Sequence, residues 1–219
     1  FNWHTRISGS TIVTPGEANR THVYGNLAIG GYSFFSWTTI AGVYRLNGVR
    51  FFNNTIINMR KNTESSAFTL NGNHHAVPEL NPRDISFYNN IAYDTYLYVM
   101  TNYSVKTPPG LAWLAQFAIF DRNCLWGNTR VLRGDDSDTE IQNATWEDWT
   151  GYTDPDPLRI KDNNSIKADP DFADTVDYKL NPGSPCAALG RDYYGFYGQV
   201  GATIPAGCYV TGNEVIGVR

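Results

Sequence analysis

Apolar and polar residues alternate over short stretches set off by Asn, Gly and Asp, and one stretch is written twice. Residues 49–58 read VRFFNNTIIN and residues 85–94 read ISFYNNIAYD. A period of two predicts β-strand, and an Asn-Asn pair between two apolar runs predicts a corner. Looser copies flank the pair, THVYGNLAIG at 21–30 and AIFDRNCLWG at 118–127. The aligned residues Asn26, Asn54, Asn90 and Asn123 stand 28, 36 and 33 residues apart. A strand unit recurring every ~20 to 50 residues, with inserts of variable length, predicts a solenoid.

Alternation also predicts which side chains face inward. Before the corner these are Val49 and Ile85, then Val23, Phe51, Phe87 and Phe120; after it, Leu27, Thr55, Ile91 and Cys124, then Ile29, Ile57, Tyr93 and Trp126. Tyr24, Phe52 and Tyr88 share an outward position and predict an aromatic ladder, either a surface for sugar rings or a layer packed beneath a loop. A further strand is expected in each repeat by aligning residues 43–48, 67–72 and, more loosely, 111–116. This turns Tyr44, Leu46, Phe68, Leu70 and Leu114 inward and Arg45, Asn47, Thr69, Asn71 and Trp113 outward. Asn at the corners fits a left-handed turn, and amides stacked from repeat to repeat can hydrogen-bond along the axis. Asp94 aligns with Gly30, Asn58 and Gly127, so it reads as a turn residue.

Three insertions interrupt the repeat, at residues 59–65, 72–84 and 95–110. Loops placed side by side by a rigid scaffold are where binding groups usually sit. The acidic loop 133–140 offers Asp135, Asp136, Asp138 and Glu140 as candidate Ca²⁺ ligands, but the spacing is not that of an EF-hand, and a solvated loop is the plainer reading.

Composition narrows the class. At 219 residues the chain fits one domain, expected to divide into coils and a closing segment over 1–190 and a Gly- and Tyr-rich extension over 191–219. A net charge of -4 argues against nucleic-acid or anionic-membrane binding, and no run of 18 apolar residues spans a membrane. Cys124 reads as a small buried hydrophobe, while Cys186 and Cys208 could form a disulfide or stay reduced. Sequons at Asn19, Asn53, Asn102, Asn143 and Asn163, with the cysteine pair, point to a secreted or cell-surface protein. Because the chain starts at Phe1 and its repeat begins without a cap, a processed or partial chain with earlier coils is expected.

The tail carries ATWEDWTGY at 144–152, NSIKADPDF at 164–172 and DYKLNPGSPC at 177–186, followed by Gly190. From residue 21 to 190 the chain resembles the C-terminal part of secreted, pectate-lyase-like right-handed parallel β-helix proteins. The resemblance implies an all-β, single-stranded right-handed parallel β-helix, with three strands per coil and a loop-rich C-terminal cap. It also implies a polysaccharide partner, and two chemistries are common on such scaffolds. For β-elimination from a uronic acid, His74 or His75 is the candidate base and Arg45, Arg60, Lys61, Arg83 or Lys106 a carboxylate partner, with Ca²⁺ as an alternative cation. For hydrolysis, Asp94, Asp121, Glu64 and Glu79 are the carboxylates, although no pair has a convincing spacing. Candidate sugar contacts are Tyr24, Phe52, Tyr88, Arg60, Asn71, Trp113 and Lys106. Elimination ranks first, hydrolysis second, and a non-catalytic glycan-binding or structural module stands as a third reading.

Overall fold

The computed structural model describes residues 21–38, 48–60, 65–71, 84–101, 118–128, 130–134, 143–151, 162 and 164–208. They form an all-β chain of short, mostly parallel strands in stacked sheets, an arrangement compatible with a parallel β-helix. Sheet A contains β1 (Thr21–Tyr24), β4 (Val49–Phe52), β7 (Ile85–Tyr88) and β10 (Ala118–Asp121). Sheet B contains β2 (Leu27–Ile29), β5 (Thr55–Ile57), β8 (Ile91–Tyr93), β11 (Cys124–Trp126) and β14 (Ile166–Lys167). Sheet C contains β3 (Ser33–Thr38), β6 (Ser66–Asn71), β9 (Leu97–Thr101), β12 (Arg130–Gly134) and the antiparallel β13 (Asn143–Ala144). From β1 to β12 the chain visits A, B and C in turn.

The doubled text sets the register. Val23 pairs with Phe51, Phe51 with Phe87 and Phe87 with Phe120. Inside the stack the Phe87 ring lies parallel to Phe51 at 5.1 Å and to Phe120 at 4.5 Å. Phe35, Phe68 and Val99 face them from sheet C, giving an interior filled by layers of apolar rings.

The Asn-Asn corner divides its work between its two residues. Asn53 and Asn89 take the left-handed turn (φ 52° and 54°), with Gly25 and Arg122 at the same position (φ 67° and 58°). The expected left-handed residue therefore sits one place earlier than the aligned Asn. The aligned residue turns inward instead and builds a spine. Asn26 Nδ2 donates to Asn54 Oδ1 (2.9 Å), Asn54 Nδ2 to Asn90 Oδ1 (2.9 Å) and Asn90 Nδ2 to Asn123 Oδ1 (3.1 Å). Each of the last three amides also donates to a main-chain carbonyl, of Val23, Phe51 and Phe87 respectively. Such a row satisfies polar groups that burial would otherwise strand. Gly30, Asn58, Asp94 and Gly127 all take positive φ at the second corner, as the alignment of Asp94 implies.

Two expectations about the strands are corrected. In sheet B the register is as expected, but the facing is reversed. Ala28, Ile56, Ala92 and Leu125 pack into the interior, while Ile91 and Cys124 join a separate apolar cluster on the outer side. In sheet C, 66–71 pairs with 33–38 and 97–101 rather than with 43–48 and 111–116, which lie outside the described residues apart from Gly48. Consequently the expected insertion at 95–110 contains a core strand, and Met59 is buried among core residues instead of opening a loop.

Sheet B's outer cluster is covered by residues 168–208, a strap that follows β14 and includes the hairpin β15 (Gly190–Arg191) and β16 (Thr203–Ile204). The expected division at residue 190 falls inside this hairpin. The outward corner side chains hold it. Asn89 Nδ2 donates to the Arg191 carbonyl (2.8 Å) and Asn89 Oδ1 accepts from the Arg191 amide (3.1 Å). Asn53 Nδ2 reaches the Pro205 carbonyl (3.1 Å), and Arg122 donates to the Leu189 carbonyl (3.0 Å). Asn53 is thus fully buried, which closes its sequon in the folded chain. At the far end of the stack, α1 (Trp146–Gly151) starts at Thr145, whose hydroxyl and amide exchange hydrogen bonds with Asp148, and its Trp149 packs edge-on against Phe120 at 4.7 Å.

Candidate functional site

The outer face of sheet A is only partly covered, and the side chains of a prospective site gather there. Alternation along β1, β4, β7 and β10 presents His22, Arg50, Ser86 and Ile119 in one row and Tyr24, Phe52, Tyr88 and Asp121 in the next. The strap adds Tyr193, Tyr194 and Phe196 to this face. Tyr24 stacks on Phe52 at 4.8 Å with planes 3° apart, and Phe196 stacks on both at 5.4 and 5.6 Å. His22 lies on Tyr194 at 5.4 Å, and Tyr88 meets Tyr193 at 4.5 Å.

The aromatic positions expected to make a ladder therefore share one face, but they differ in access. Phe52 is closed off, at 3% exposure, whereas Tyr24, Tyr194 and Phe196 remain 44%, 37% and 46% exposed. The accessible rings are one strand residue and two strap residues. The sequence offers residues 193–201 as either a surface-wrapping extension or an added binding edge, but nothing in YYGFYG (193–198) signals where it docks. A buried Asp192 shapes that loop, its carboxylate accepting the amides of Tyr194, Phe196 and Tyr197 at 3.2, 3.1 and 2.8 Å.

The polar groups beside the rings are committed to one another. Arg50 pairs with Asp84 at 2.7 Å; burial opposes its charge, but Asp84 outweighs burial and holds the guanidinium above its ordinary pKa. Tyr193 donates its hydroxyl to Asp121, and Asn164 donates to the other Asp121 oxygen at 2.7 Å. Burial, then that carboxylate, pushes the Tyr193 phenol up; burial also raises Tyr88 and Tyr194. These tyrosines stay neutral donors at physiological pH. This face can stack sugar rings and bond hydroxyls, but its described carboxylates are already engaged.

Other expected site residues lie elsewhere. Arg60 clamps the second corner through Asp94 (2.6 Å) and the Gly127 carbonyl. Asn71 ends β6 in sheet C. Arg45, Lys61, His74, His75, Arg83, Lys106 and Trp113 lie outside the described residues, as do Glu64, Glu79, Asp135, Asp136, Asp138 and Glu140. Connectivity still relates some of them to sheet A. The segments 39–47, 72–83 and 102–117 each rejoin the described chain at or just before a sheet A strand, at Gly48, Asp84 and Ala118. Among the described residues no group of three His, Cys, Asp or Glu side chains is placed to hold a metal, and no helix is long and apolar enough to cross a membrane.

For the cysteines, the sequence leaves a Cys186–Cys208 disulfide and reduced thiols both open. Cys124, Cys186 and Cys208 are all buried thiols, and no disulfide joins Cys186 to Cys208. Compared with known proteins, the chain matches no family model, no curated protein and no solved structure.

Proposed function

We propose that this is a carbohydrate-binding protein on a right-handed parallel β-helix with three strands per coil, holding a polysaccharide along the outer face of sheet A. The hand follows the general rule for crossovers between parallel strands of one sheet. The observation that carries the function is the half-exposed cluster of Tyr24, Tyr194 and Phe196: Tyr24 and Phe196 stack on each other and on buried Phe52, and Tyr194 meets Phe196 edge-on and Phe52 at a tilt. Rigid aromatic faces with neighbouring hydroxyl donors suit a pyranose, which has an apolar ring face and a polar rim.

Cleavage by β-elimination is a second reading. Arg45, His74, His75, Arg83 and Lys106 belong to segments that lead into sheet A strands, so a general base and carboxylate partners would serve the same face. A panel of neutral and uronic polysaccharides tests both readings. Retardation in polysaccharide-containing gels supports binding, and an ultraviolet-absorbing unsaturated product adds elimination. New reducing ends without that chromophore would replace elimination by hydrolysis. The absence of both retardation and cleavage on every polymer would sink the proposal.

A further inference from the structure

The strap is held by hydrogen bonds at the corners and by apolar contact over sheet B, and two cysteines face each other across that contact. Cys124 belongs to β11 of the stack and Cys186 to the strap. Both are fully buried, and they share one small cluster with Ile91, Leu189 and Ala206. The backbone around each is fixed. Cys124 Sγ donates to the Ala168 carbonyl (3.3 Å), the Cys186 amide donates to Ser184 Oγ (3.0 Å), and the Cys186 carbonyl accepts from the Ala206 amide (2.9 Å).

Cys208 is placed differently. Its amide donates to Thr55 Oγ1 at 2.9 Å, and Thr55 stands in register with Ile91 and, beyond that, Cys124. Thr55 is therefore two strands from Cys124, about 10 Å along the stack at the usual strand spacing. From the sequence alone Cys186 and Cys208, both in the tail, could form a disulfide or stay reduced. The fold brings Cys186 to Cys124 instead.

We propose that Cys124 and Cys186 are a cross-linking site, forming a disulfide that staples the strap to β11 when the chain folds under oxidising conditions. The oxidant is a small disulfide such as oxidised glutathione. One cysteine thiolate attacks it, giving a mixed disulfide and one reduced thiol. The second cysteine thiolate then displaces the other, so two protein thiols lose two protons and two electrons while one small disulfide becomes two thiols. Once the native contact is made, the neighbouring thiol and burial hold the Cys124 pKa far up, so little thiolate is available and the reaction belongs to folding or to strap opening. The bond would close a loop between positions 124 and 186, 62 positions apart, which restricts the unfolded chain substantially.

The test is to refold the full chain with reduced or with mixed reduced and oxidised glutathione, block remaining thiols after denaturation, and map peptides without reduction. The expected result is a Cys124–Cys186 linked peptide in the oxidised sample, with a melting temperature several degrees above the reduced sample. Cys124→Ser should abolish both the linked peptide and the shift, while Cys208→Ser should keep both. Three blocked thiols in the oxidised sample, or a Cys186–Cys208 peptide, would overturn the proposal. If Cys124→Ser fails to fold, the wild-type and Cys208→Ser peptide maps decide the matter alone.

Discussion

Sheets A and B are built from the two halves of the same repeated text, yet their outer faces have opposite fates. On sheet B the outward residues Ile91 and Cys124 are covered by Cys186, Leu189 and Ala206, so the face belongs to a second core. On sheet A the strap contributes only an aromatic loop, leaving Tyr24, Tyr194 and Phe196 accessible. The comparison teaches that coverage by the strap, rather than residue type, separates scaffold from site. Tyr24 on sheet A is available, whereas Ile91 and Cys124 on sheet B, beneath the strap, are not.

Substitutions should divide along that line. Ile91→Ala has the largest expected effect, a loss of about 3 kcal/mol on chemical denaturation, because it opens a cavity between sheet B and the strap. A loss below about 1 kcal/mol would mean the strap is not packed there. Asn89→Ala should cost about 2 kcal/mol, since it strands the Arg191 amide and carbonyl at the buried corner. Limited proteolysis of that variant should cut first within residues 190–208.

The root of the strap adds a pH dependence. Burial pushes the Asp162 carboxyl up to about 6 from an ordinary 3.8, although Ser165 and Trp149 Nε1 hydrogen-bond to it. The folded chain then binds a proton that the unfolded chain has lost. Stability should fall as pH rises from about 4 to 6 and level off above that, by at most about 2 to 3 kcal/mol from this group. Asp162→Asn keeps an acceptor for Trp149 and cannot ionise, so denaturation midpoints measured across that window should lose this slope. An unchanged slope would assign the pH dependence to another group. The smallest stability effect is expected on sheet A. Tyr24→Ala should shift stability by less than about 1 kcal/mol, its ring being nearly half exposed, while weakening polysaccharide retention several-fold.

The same contrast explains what the sequence reveals. Sheet A's register is legible because Phe51, Phe87 and Phe120 alternate with less buried neighbours, Arg50 and Ile119 among them. Sheet B's facing is not, because β5 has Thr55, Ile56 and Ile57 all buried, and a three-residue strand covered on both sides carries no in-or-out signal. Sheet C's strands share little text. SAFTLN and LYVMT pair in register without resembling each other, so alignment by residue type selects the wrong partners. Tyr24 and Tyr88 were visible as site candidates through their repeat position. Tyr194 and Phe196 lie in a stretch that reads as a wrapping extension or a binding edge, but their place is not legible, since it depends on a hairpin held by corner side chains more than a hundred positions earlier in the chain, Asn53 and Asn89.

The most direct test of the central claim compares polysaccharide retention by the wild-type chain with that of Tyr24→Ala and Phe196→Ala, at matched denaturation midpoints. The account predicts that the wild-type chain is retarded by at least one polymer and that both variants lose most of that retardation while staying folded. Retention undiminished in both variants, or no retention or cleavage by the wild-type chain on any polymer, would contradict it.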